Sequence, residues 1–146
     1  MLVITPTRGL VAAHALVTRQ DLLEFARVDL AKCGPRYRRP LARDAEQLAA
    51  SAGGVQIVLL GSVATGKYVD VLATALGERL LFPRDFVGRG DMSRGGLLLR
   101  CAREGRELEY VPALGAVRRG ARPPKLARPP KLDRPRDPER AVEPAS

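Results

Sequence analysis

The stretch Val55–Tyr68, VQIVLLGSVATGKY, restricts the fold of this chain more than any other. Val55–Leu60 is apolar except at Gln56 and is closed by Gly61, which reads as a short strand buried on both faces. Just beyond Gly66-Lys67 the spacing changes to that of a helix, with Val69, Leu72, Ala73 and Leu76 inward and Gly77 as the stop. The alternation continues downstream. Arg79–Phe82 reads as a strand ended by Pro83, Gly95–Arg103 as a helix, and Glu107–Val111 as a strand with Leu108 and Tyr110 on one face. A β-α-β-α-β order calls for right-handed crossovers and a sheet covered by helices. The expected fold class is therefore α/β: a small three-layer, mostly parallel sheet with helices on both faces, in one domain over residues 1–113.

Upstream, Leu2–Thr5 reads as a short strand. Thr18 and Asp21 form a T-x-x-D capping box, and the helix behind it aligns Leu22, Ala26, Leu30 and Cys33 before Gly34-Pro35 stops it. Arg36–Arg39 reads as a basic turn and Pro40 as the first position of a second helix. That helix has Leu41, Ala45 and Leu48 inward, and Gly53-Gly54 at its end. After Ala113 the apolar periods stop. ARPPKL occurs twice in succession, at Ala121–Leu126 and Ala127–Leu132, followed by DRPRDPER. Such proline density predicts a disordered or locally polyproline-like tail over 114–146, serving as a spacer, a ligand for a proline-binding domain or an electrostatic tether.

Composition narrows the function classes. The chain has 146 residues, 45% of them apolar, enough for one ordinary core, and with three Tyr, three Phe and no Trp aliphatic packing must dominate that core. His14 is the only histidine, which argues against a His-based metal site or Ser-His chemistry, so no metal site is expected. Cys33 and Cys101 have no C-x-x-C spacing and read as reduced core residues of a cytoplasmic protein. Pro6 and Arg8 interrupt any signal-peptide apolar region, and no apolar run approaches a membrane span, so no membrane partner is expected. The net charge is +9, but +5 of it lies in residues 117–146, and arginine outnumbers lysine 21 to four. That bias weakens the step from basic charge to nucleic acid.

Two glycine-rich loops carry the chemistry. The first, Gly61–Lys67, has G-x-x-x-x-G-K spacing between a strand and a helix, where backbone N–H groups and one ammonium converge on an anion. Its candidate binding residues are Gly61, Ser62, Thr65, Gly66 and Lys67. The second, Pro83–Gly96, PRDFVGRGDMSRGG, follows the next strand, so in a parallel sheet both loops leave the same carboxyl edge. It offers Arg89, Ser93 and Arg94 as ligand-binding groups. Asp85 and Asp91 are its candidate catalytic carboxylates, for proton handling, with pairing to neighbouring arginines as the alternative. Asp91 or Ser93 is equally a candidate N-cap for the following helix. The first loop resembles a Walker A motif, with Tyr68 where the magnesium-holding Ser or Thr belongs. The blocks GSVATGKY and FVGRGDMSRGGLLLR, within Arg36–Leu126, resemble those of uncharacterised bacterial proteins, a resemblance that implies no established activity and carries no catalytic residue over.

These residues predict a protein that binds a phosphorylated ligand, a nucleotide or related metabolite, at the carboxyl edge of the sheet, and leave the cofactor unknown. The alternatives are a nucleic-acid-associated basic module and a non-catalytic interaction protein that recruits through the ARPPKL repeats.

Overall fold

The computed structural model describes residues 1–127, and its first element is a β-hairpin that the sequence reading half anticipates. Leu2–Thr5 (β1) pairs antiparallel with Gly9–Ala12 (β2), from Leu2 opposite Ala12 to Thr5 opposite Gly9. The Thr5 hydroxyl closes the turn, donating to the Gly9 carbonyl at 3.1 Å and accepting the Arg8 N–H at 3.0 Å. Gly9 has φ +66°, and a Cβ there would fall on the Asp44 carboxylate and lie 2.6 Å from the Pro40 carbonyl oxygen. The hairpin backbone thus rests directly on the helix behind it, where Asp44 also accepts the Leu10 N–H at 2.9 Å.

Arg19–Ala26 (α1) starts at Thr18 with both bonds of the capping box present. It ends after two turns rather than at Gly34, because the Asp29 side chain accepts the Ala31 N–H at 2.9 Å and draws the chain into turns. Pro35–Ser51 (α2) then begins at Pro35, not at Pro40. Arg36, Arg38 and Arg39 are consequently exposed helical residues, and Pro40 lies inside the helix. The gain is Tyr37, which this early start turns inward with Leu41 and Ala45.

The second sheet is built from Ile57–Val58 (β3), Leu80–Pro83 (β4) and Tyr110–Pro112 (β5), in that order. Gly66–Leu76 (α3) connects β3 to β4, which run parallel, and the Leu59 N–H extends the pairing to the Leu81 carbonyl at 2.8 Å. Asp91–Glu104 (α4) follows β4, but β5 is antiparallel to β4, so this is a small mixed sheet rather than the expected mostly parallel one. Tyr110 enters opposite Pro83, so the chain between them leaves and re-enters at one edge, and α4 is no crossover helix. The Arg84 N–H bonds the Glu109 carbonyl at 3.0 Å, closing that excursion. As an edge strand, β3 has one neighbour, and flanking Val55 and Leu60 are exposed, contrary to a strand buried on both faces.

The core joins Tyr37, Leu41 and Ala45 of α2 to Val69, Leu72 and Leu76 of α3, to β4 and to α4 through Leu97 and Cys101. Each large apolar side chain so buried contributes roughly 1.5–3 kcal/mol. No helix among the described residues is long and apolar enough to cross a membrane. Residues 114–127 of the expected tail carry no helix or strand, yet Ala116 and Leu126 pack against the core. The remainder of that tail, including all but the first residue of the second ARPPKL copy, lies outside the described residues.

Candidate functional site

Parallel pairing of β3 with β4 sends their following loops out at the same edge of the sheet. There a cleft of about 940 Å³ is lined by Gly61, Ser62, Thr65 and Lys67 from the first loop and by Asp91, Arg94 and Gly95 from the start of α4. The rest of its wall is mostly apolar, supplied mainly by β1, β3 and the inner side of α3, with Gln56 and Tyr68 adding polar groups. Lys67 and Arg94 therefore line one cavity. Gly66, Asp85, Arg89 and Ser93 do not line it.

On the first loop, Thr65 occupies the N-cap of α3 in an extended conformation but provides no side-chain cap. Lys67 is half-buried, and among the described residues it forms no ion pair with a carboxylate. Its ammonium lies 5.1 Å from the centre of the Tyr68 ring, a cation–π distance. Tyr68 in turn meets Tyr37 edge-on, with ring centres 6.2 Å apart, and the Tyr37 hydroxyl donates to the Lys67 carbonyl at 3.3 Å. Burial pushes the Tyr37 phenol far above its ordinary pKa, with Tyr68 and Cys33 adding to the shift, so it stays a neutral donor. The residue that departs from the Walker A pattern is thus a packing residue that steadies the lysine.

Gly66 has a local reason of its own. A Cβ at that position would coincide with the carboxylate of Asp70, which folds back over the first turn of α3. A carboxylate at a helix N-terminus is stabilising, and it also competes with any incoming anion. Arg118 offsets part of that charge, with its guanidinium 3.1 Å from Asp70.

Two of the second loop's arginines bond within the loop, and the third, Arg84, pairs with Glu109 at 3.0 Å. Arg89 donates from Nε to the Asp85 carbonyl at 2.8 Å and from Nη1 to the Ser93 hydroxyl at 3.2 Å. Arg94, 7% exposed, donates to the Arg89 carbonyl at 2.6 Å and pairs with the Asp91 carboxylate, its guanidinium 5.9 Å from the Phe86 ring centre. These bonds build the loop and engage two of the five N–H donors of each guanidinium within it. Asp91 is the first residue of α4, where its charge suits the helix dipole, and the N-cap is Gly90 rather than Asp91 or Ser93. Asp85 is exposed outside the cleft, and Asp91 is held by Arg94, so the two carboxylates do not form one catalytic pair.

Three contributions escape the sequence reading. The cleft uses Met1–Ile4 as a wall, the Tyr37 hydroxyl bonds the Lys67 carbonyl, and a segment read as tail sends Arg119 to the first loop and Arg118 to Asp70 of α3. Only the helical spacing of Tyr37 with Leu41 and Ala45 was available as a signal. No family model matches the chain, and no curated protein or solved structure matches it either.

Proposed function

We propose that this protein binds a phosphorylated small molecule, a nucleotide or a related metabolite, in the cleft between the two loops. One observation carries the reading: Lys67 has no carboxylate partner among the described residues and stands beside a helix N-terminus that lacks a side-chain cap, in a mostly apolar cavity. A phosphate there gains the Lys67 ammonium and the first-turn N–H groups of α3, while the apolar wall takes a base or another flat, poorly hydrated group. Arg94 orders the rim through Asp91 and Arg89. With Tyr68 at the magnesium position, the reading is of binding without nucleotide hydrolysis. A reducing cytoplasm suits the two unpaired thiols, Cys33 and Cys101.

Calorimetry with a panel of nucleotides, on wild type and Lys67→Ala, tests this. A charge-assisted contact is worth roughly 1.5–3 kcal/mol, so the variant should bind about ten- to a hundredfold more weakly. Identical heats for both proteins refute the reading. A second reading, nucleic-acid association, draws on Arg36, Arg38 and Arg39, exposed together on the first turns of α2. It requires DNA or RNA binding that weakens steeply with salt and falls when these three are replaced by alanine.

A further inference from the structure

The Val117–Ala127 segment has no regular secondary structure, yet consecutive residues of it touch both loops of the cleft. Arg118 pairs with Asp70 at 3.1 Å, and Arg119 donates from Nε to the Ala64 carbonyl at 3.0 Å, in the middle of the first loop. The next two residues lie on the second loop. A Cβ on Gly120 would come within 3.0 Å of Val87, and a Cβ on Gly88 would strike the Ala121 carbonyl. Leu126 then packs against the core beside Gly96, and Arg100 donates to the Ala127 carbonyl. Between these anchors Pro123-Pro124 restricts the chain, so docking the segment costs less entropy than docking a flexible one.

We propose that Arg118 and Arg119 are positioning residues of the binding site, and that residues 118–127 form a strap that sets the conformation of the Gly61–Lys67 loop. Two effects follow from the contacts. Arg119 holds the loop through a main-chain carbonyl, which fixes its path without using any group that faces the cleft. Arg118 offsets the charge of Asp70, one turn into α3, whose carboxylate reaches back over Gly66 to where an unbalanced negative charge repels an incoming phosphate. The strap also keeps the two loops in step, since Arg119 and Gly120 are neighbours in sequence and each rests on a different loop. This inference rests on the first loop being the binding loop, but the strap itself is tested without ligand.

The experiment is amide hydrogen exchange on the full chain, comparing wild type with Arg118→Ala/Arg119→Ala and with Arg118→Lys. Losing both contacts should speed exchange in residues 62–68 by roughly tenfold, while residues 41–49 and 97–101 keep their rates. Arg118→Lys retains the charge and should stay near wild type. Unchanged exchange over 62–68 overturns the proposal, and so does a uniform rise across all segments, which assigns the arginines to global stability alone. A second arm measures the affinity of inorganic pyrophosphate. Arg118→Ala should weaken it several-fold, and adding Asp70→Asn should restore it, because the second change removes the charge that Arg118 offsets. If the double variant stays as weak as Arg118→Ala, the electrostatic half of the proposal is wrong. If wild type binds no anion while exchange over 62–68 still rises, the phosphate reading fails and the strap stands.

Discussion

Gly88 and Gly105 offer a matched pair of substitutions that isolates what the C-terminal segment contributes. Both have positive φ, +75° and +62°, so alanine at either position pays the left-handed penalty of roughly 1–2 kcal/mol. They differ in what lies beyond. At Gly105, just past the end of α4, no atom of the described residues comes within 4 Å of an added Cβ. At Gly88 the new methyl would strike the Ala121 carbonyl oxygen, with its carbon at 3.0 Å and the Gly120 oxygen at 3.1 Å. These are main-chain atoms that cannot rotate away, so the segment must shift, and overpacking of this kind costs about 1–3 kcal/mol more. Gly88→Ala is therefore expected to lose about 2–5 kcal/mol and Gly105→Ala about 1–2 kcal/mol. Urea unfolding followed by circular dichroism measures both. With slopes of about 1–3 kcal/mol per molar, the midpoints should be separated by roughly 1 M, Gly88→Ala unfolding first. Equal midpoints for the two variants refute the claim that residues 120–121 are seated on the second loop.

Further outcomes follow from single contacts. Leu41→Ala, at a position with 0% exposure, should destabilise by about 2–5 kcal/mol in the same urea assay. Tyr37→Phe should cost about 1 kcal/mol at neutral pH through the lost bond to the Lys67 carbonyl. Because burial raises the Tyr37 pKa above 10.0, its contribution is complete below pH 10.0 and is lost as pH rises toward the folded value; alkaline titration should show a smaller loss in Tyr37→Phe than in wild type, the remainder including Tyr110, whose phenol burial also raises. The Thr18 backbone N–H, against opposing desolvation and with help from the Thr18 hydroxyl and Arg8, holds the Asp21 carboxyl below its ordinary 3.8. The α1 cap should thus persist above that pH and loosen as pH falls through the lowered value, seen as faster exchange in residues 19–26. Thr18→Ala should destabilise by about 1 kcal/mol at neutral pH.

What was legible beforehand was local. The capping box at Thr18 and the span of α3 depend on neighbours within four residues, and both appear where the spacing puts them. Gly34-Pro35 was ambiguous because such a pair can close a helix or open one; here α1 has already ended at Ala26 and the pair opens α2, so reading it as a stop displaced α2 by five residues and hid Tyr37. The direction of β5 leaves no trace in its side-chain alternation, since a strand reads the same in either sense. The turn from Pro6 to Arg8 lacks the Asn-Gly type of signal, so β2 went unread. At the site, the shared edge of β3 and β4 brought Lys67 and Arg94 to one cavity as the topology implied. The commitment of Arg94 to Asp91 and of Arg89 to Ser93 was invisible, because charge patterning records which groups are present and not which are satisfied. The seating of Gly120 on Val87 was equally hidden, since its cause lies 33 positions away in the chain.

Met1 stands at the lip of the cavity, 97% exposed, with Leu2 and Val3 continuing the rim behind it. Anything attached ahead of that methionine, whether a purification handle or natural upstream sequence, emerges at the entrance rather than on a remote face. Affinities measured on protein with an amino-terminal fusion will include the obstruction, and a removable handle separates that effect from the ligand's own.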